Sequence, residues 1–232
     1  MRPCPAKKMM ILFLVLAAAG WLAPAARAQV SPDAADLLKL VMGTYASKQG
    51  FEGRYDAHYK PGLFSPTEAK EKRGQGTIIF ARPASLWLSQ ESPTQEEFVL
   101  SPLGVWWYRR DLNEAHRYPA SEFYEGMGTF LKPIMDLFSG LGGLEKTFRV
   151  DRVIGSDRGQ EKTLKLVPHD HSSGLDWLDV WVDPRGAIVQ IAIHTLAADR
   201  TTYRFEQVKL LAEPPQQGFN FVPPEGAKVV NH

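Results

Sequence analysis

Cysteine is nearly absent from this chain. The one copy, Cys4, precedes the first apolar run, so residues beyond it carry no disulfide. A lipid-modified cysteine would have to follow that run, which excludes an anchor of that kind. There is no excess of either charge: 27 basic side chains stand against 26 acidic ones. That balance lacks the basic field that nucleic-acid binding requires, so no nucleic-acid partner is expected. No Gly/Ser linker, internal repeat or long charge block divides the sequence. The G-x-S-x-G, C-x-x-C, H-E-x-x-H, P-loop and dinucleotide glycine patterns are all missing, so no enzymatic activity and no cofactor is expected.

What is present starts with a leader. Arg2, Lys7 and Lys8 precede an apolar run over residues 9–19, and Ala26-Arg27-Ala28 follows with small residues around one position. This order predicts a secretory signal peptide, residues 1–28, cut before Gln29. Removing its four basic residues leaves 23 basic against 26 acidic, a net charge near −3. Export without cysteine fits a bacterial envelope compartment, the periplasm. Residues 29–232 are long enough for one sizeable domain.

Ser31-Pro32-Asp33 reads as a helix start, and Leu37, Leu38, Val41, Met42 and Tyr45 recur at helical spacing before Gly50. Beyond Gly50 the period shortens to two. Strands are predicted over residues 51–59, 74–81, 86–90, 97–101, 105–110, 147–154, 162–167, 177–183, 187–196 and 201–211. Asp183-Pro184-Arg185-Gly186 is a turn between two of them. This spacing argues for a mainly β, α+β fold: one large curved antiparallel sheet, partly closed. Several strands are apolar on both faces, and the neighbours Trp106 and Trp107 must point to opposite sides. Either helices cover the second face or it lines a cavity.

Phe130, Leu131, Ile134, Met135 and Phe138 form an apolar face on a short helix with Pro133 near its start. Gly126 and Gly128 precede it, and Gly140, Gly142 and Gly143 follow. An ordinary crossover helix and a lid over an apolar interior are both compatible with this segment. The one cluster of metal-ligating residue types, His169-Asp170-His171, sits in a polar loop without an obvious third ligand, so no metal is expected there. Arg82 ends the apolar strand over residues 74–81 and is followed by Pro83. It reads either as a solvated strand end or as a cation held against a greasy interior.

The ordered set of features resembles the outer-membrane lipoprotein carrier family, the LolA-like lipoprotein chaperones. It comprises an amphipathic N-terminal helix, Gly74-Gln75-Gly76 leading into Arg82-Pro83, and Val105-Trp106-Trp107-Tyr108. Asp199-Arg200-Thr201-Thr202-Tyr203 and Phe219-Asn220-Phe221-Val222-Pro223-Pro224-Glu225-Gly226 complete it. The resemblance implies an unclosed β-barrel with an N-terminal helix and a short helical lid covering an apolar cavity for lipoprotein acyl chains. It implies that Arg82 hydrogen-bonds to lid segments. Arg82, Leu86, Leu88, Trp106, Tyr108, Phe130, Leu131, Ile134, Met135 and Phe138 are then the expected cavity and lid residues. Acylated lipoproteins, an inner-membrane lipoprotein-releasing ABC transporter complex and, where one exists, an outer-membrane lipoprotein receptor are the partners implied, for a protein acting as a monomer. Leu86 stands where the best-known members carry an aromatic that governs cargo retention. Three rivals remain: a lipoprotein-sensing envelope regulator on the same scaffold, a metal-dependent hydrolase using His169 and His171, and a structural envelope protein. The sensor is disfavoured because known ones add a C-terminal domain.

Overall fold

A computed structural model describes residues 32–63, 65, 69–125, 131–139, 144–215 and 218–232. The leader, the cap residue Ser31, Phe130 and the five glycines flanking the short helix lie outside the described residues. The apolar stripe of residues 37–45 forms helix α1 (Pro32–Ala46). Strands β1 (Gly50–Lys60), β2 (Lys72–Ala81), β3 (Ser85–Ser92), β4 (Glu96–Ser101), β5 (Gly104–Arg109) and β6 (Glu114–Tyr118) follow as a meander. Three short helices come next: α2 (Ala120–Glu125), α3 (Leu131–Phe138) and α4 (Leu144–Thr147). The second meander is β7 (Phe148–Arg158), β8 (Glu161–Pro168), β9 (Leu175–Val182), β10 (Ile188–Thr195) and β11 (Arg200–Leu211), and β12 (Lys228–Asn231) ends the chain.

All twelve strands join one sheet in the order β12-β6-β5-β4-β3-β2-β1-β11-β10-β9-β8-β7. The first and last strands do not pair with each other, so the barrel is unclosed. β1 is the seam, pairing antiparallel with β2 on one side and β11 on the other. The departure from an all-antiparallel sheet is β12, which runs parallel to β6.

Two glycines in the first meander are required by close approach. A side chain at Gly50 would collide with the Phe80 carbonyl, and one at Gly76 with the Ser89 carbonyl, beside the register shift between Gln75 and Gly76.

The concave face holds the main core. Phe51, Tyr55, Ile78, Phe80, Leu86, Leu100 and Val105 supply one half of it, and Leu164, Leu178, Val180, Ile188, Ile191 and Phe205 the other. Helix α1 lies over the β7–β8 side, burying Ala34, Leu37, Leu38, Val41 and Tyr45. The turn between β9 and β10 clamps it. Thr44 lies within hydrogen-bonding distance of the Arg185 carbonyl, and Gly186, at φ 84°, has no room for a side chain against Leu40 and Thr44.

The opposite face resolves the two-faced strands differently from either expectation. Val99, Tyr108, Ala115 and Phe221 form a second, smaller core there, with Trp87 and Trp106 against it. The C-terminal segment covers this patch, not a helix and not a cavity. Phe221 sets its ring 5.6 Å from Trp106 and 5.7 Å from Tyr108. The Tyr108 hydroxyl donates to Asn113 Oδ1, and Asn113 Nδ2 donates to the Gly226 carbonyl, which leads the chain into β12.

Candidate functional site

Helix α3 sits inside the curve of the sheet. Its Phe138 ring packs 4.8 Å from Phe51, 5.7 Å from Phe80 and 5.9 Å from Phe205, three residues from three adjacent strands. Leu131, Ile134 and Phe138 roof an apolar pocket. Its walls are Ile78, Leu86 and Leu88 on one side and Ile191, Ile193 and Phe205 on the other. The residual space is about 70 Å³. Water takes about 30 Å³ in the liquid, so this void is far too small for an acyl chain. Three α3 side chains line what space is left.

A second cavity of about 300 Å³ adjoins the first, sharing Leu88 and Tyr203 with it. It is amphipathic. Phe98, Tyr118 and Phe123 form an aromatic corner, with Phe123 of α2 5.6 Å from Phe98 and 6.0 Å from Tyr118. Gln90, Glu96 and Trp107 supply the polar side, the indole N–H of Trp107 donating to Glu96 at 2.9 Å. Tyr203 lies at the border of the two cavities, and the Tyr55 ring, in the larger one, stands 6.0 Å from its ring. Burial pushes both phenols up from their ordinary range, so they remain neutral donors.

The expected site residues divide between the two faces of the sheet. Leu86, Leu88, Leu131, Ile134 and Phe138 meet around the apolar pocket. Met135 is buried in the core beside it. Phe130 lies outside the described residues. Trp106 and Tyr108 are a correction: both belong to the opposite face, under Phe221. The neighbour that faces the interior is Trp107, because alternate residues of β5 take opposite faces and Val105 takes the concave one. Tyr55 and Tyr203 were missed. The available signal was parity, since Tyr55 shares its face with Phe51.

Arg82 bonds to the N-terminal helix and, among the described residues, not to the short one. The guanidinium donates to the Tyr45 carbonyl at 2.8 Å, capping the last turn of α1. Its main-chain N–H donates to the Gln49 carbonyl at 2.9 Å. The short helix is held instead one residue further on. The Ser139 hydroxyl lies 2.7 Å from the Pro83 carbonyl and 2.8 Å from that of Met135, sharing one proton between them. The β2–β3 turn therefore ties down both helices. Tyr45 is fixed from the other side by the Ile188 N–H, and burial pushes its phenol up to about 12.

Asp199, in the turn before β11, is a hub. It accepts from Tyr59, the Gly62 N–H, Ser65 and Thr195. Burial opposes its charge, but those donors outweigh it and hold the carboxyl below the usual range. The loop histidines diverge: His169 faces the Glu145 carbonyl and His171 that of Leu175. Among the described residues no group of three or more His, Cys, Asp or Glu is placed to hold a metal. No helix among them is long and apolar enough to cross a membrane.

An open half-barrel whose greasy concave face is stoppered by its own helix defines a scaffold for hydrophobic ligands. The family described as outer membrane lipoprotein carrier protein LolA matches residues 55–222, and the chain belongs to that family. An outer-membrane lipoprotein carrier protein of Coxiella burnetii (strain CbuK_Q154) is 23% identical over 177 residues, covering 76% of this chain and 80% of the relative. One from Methylibium petroleiphilum is 27% identical over 166 residues, covering 72% and 77%. Among solved structures, a LolA superfamily protein from Nitrosomonas europaea superposes with a TM-score of 0.40 at 10% identity, covering 81% of this chain and 97% of that one.

Proposed function

We propose that this protein is a non-enzymatic periplasmic carrier that takes up the acyl chains of lipoproteins and ferries them from the inner to the outer membrane. Cargo would arrive from an inner-membrane lipoprotein-releasing ABC transporter and leave to an acceptor at the outer membrane. Family membership supports the lipid-carrying role. The observation that carries the rest is α3 seated against the apolar concave face, its Phe138 within 6 Å of three phenylalanines of the sheet.

The energetics explain why a carrier should be stoppered. Each buried methylene gains about 0.8 kcal/mol, so a chain of about sixteen carbons gains on the order of 12 kcal/mol. Several such chains in an empty, preformed pocket would exceed any affinity from which release is practical. Here the cargo must first displace Leu131, Ile134 and Phe138 from the space they fill. Re-exposing those side chains costs about 1.5–3 kcal/mol each, which offsets part of the acyl gain. The shut form thus competes with the cargo and makes hand-over feasible.

The test is mass spectrometry of solvent extracts from protein purified out of the cell envelope. Diacyl or triacyl peptide is the expected finding. Extracts containing free fatty acid alone, or no lipid, would contradict the reading.

A further inference from the structure

Tyr55 and Tyr203 are two of the phenol-bearing side chains that line the amphipathic cavity. Tyr203 also lines the apolar pocket, and the Tyr55 ring stands 6.0 Å from its ring. Neither hydroxyl has a hydrogen-bond partner among the described residues, whereas Tyr45, Tyr59 and Tyr108 each have one. A hydroxyl in such a place is satisfied by water while the cavity is wet. When a ligand displaces that water, a hydrocarbon leaves the hydroxyl unmade, and an acceptor restores the bond.

We propose that Tyr55 and Tyr203 form a carbonyl-recognition collar that selects ester-linked acyl chains by donating to their carbonyl oxygens at the mouth of the apolar pocket. This rests on the reading of the interior as an acyl site. The position follows from the two cavities: hydrocarbon tails run into the space beneath α3, and the polar end that joins them stays in the larger cavity. The chemistry follows from the groups. Burial keeps both phenols protonated, so they offer donors and no charge. Glu96 lines the same cavity, with Trp107 and Thr94 donating to its two oxygens, and its negative field favours a neutral carbonyl over a carboxylate. Gln90 adds a second uncharged polar group on that wall. The selected ligand is therefore a neutral acyl ester, not an alkane, an ether lipid or a fatty-acid anion.

The experiment compares two matched probes, dioctanoylglycerol and the corresponding di-O-octylglycerol, in titrations with the full protein. The ether keeps the chains and weakens the acceptors. Wild-type protein is expected to prefer the diester by about tenfold, the effect of two modest hydrogen bonds. The Tyr55→Phe/Tyr203→Phe variant should lose that preference, its affinity for the ether rising toward that for the diester because no hydroxyl is then left without a partner. Each single variant is measured alongside, so that a folding failure of the double leaves the comparison intact. Equal binding of the two probes by wild type, or a preference that survives in the variants, overturns the collar and leaves acyl carriage standing. Binding of neither probe by wild type removes the acyl site itself, and the collar with it.

Discussion

Phe138 of helix α3 meets Phe51 of β1 edge-on, ring centroids 4.8 Å apart at an interplanar angle of 66°. Edge-to-face pairs of this kind add about 0.5–1.5 kcal/mol beyond the area they bury. Phe80 and Phe205 extend the contact, so a single side chain ties the helix to β1, β2 and β11. Nothing in this cluster is polar, and its occupant can in principle be any apolar group of similar section. On the proposed carrier mechanism, that equivalence would let a fatty chain replace the helix.

Phe138→Ala should therefore separate stability from binding. Full loss of a buried phenylalanine costs about 3–5 kcal/mol, and most of that falls on the shut form. Thermal melting should show a lower midpoint. Titration with a diacyl probe should show tighter binding, because the competitor for the pocket has been weakened. Weaker binding together with lower stability would mean that Phe138 contacts cargo and does not compete with it.

Arg82→Leu should free the last turn of α1. The bond to the Tyr45 carbonyl is charge-assisted but half-exposed, so its loss should cost on the order of 1–2 kcal/mol. Hydrogen exchange in residues 41–50 should accelerate, while α3, held through Pro83 and Ser139, changes less. Lysine should fall between, keeping the charge and losing the planar fork.

Trp106→Ala should lower stability by on the order of 2 kcal/mol, below the usual cost for a fully buried tryptophan because this one is half-buried. It should loosen the C-terminal segment and leave acyl-probe affinity unchanged. Trp107→Ala should do the reverse in binding, since that ring lines the interior. The pair of titrations checks which face of β5 meets cargo.

Asp199 makes a prediction about acid. Its folded pKa is depressed, so its contribution is fully present above the unfolded value of 3.8 and is lost as pH falls below it. Wild-type melting temperature should drop steeply between pH 5 and about pH 2. Asp199→Asn should start lower at neutral pH and fall less steeply over that range. Parallel slopes would show that the carboxylate charge does not hold the loop.

Much of this architecture could be read from residue order. The α1 stripe, the strand periods and the Asp183–Gly186 turn all express local rules, and all appear near their expected positions. β6 and β12 were not legible. Glu114-Ala-His-Arg-Tyr118 has little apolar alternation, and a four-residue strand that pairs in parallel with a partner 114 positions away carries no local signature. Parity showed that Trp106 and Trp107 must diverge, yet it could not say which faces inward. That depends on Phe221 arriving from the far end of the chain to cover one of them. The partner of Arg82 was hidden for a different reason. It is a main-chain carbonyl, and carbonyls leave no mark in the residue types.

The most direct measurement uses the scarcity of thiols. Ser139 is 1% exposed and holds the end of α3 against Pro83. With Cys4 confined to the expected leader, a Ser139→Cys variant carries the one thiol of the processed chain. Its rate of reaction with a small water-soluble reagent then reports how often α3 lifts. The rate should be slow in the empty protein and rise many-fold when a diacyl lipid is bound. A bound lipid that leaves the thiol as protected as before would contradict the claim that cargo takes the place of the helix.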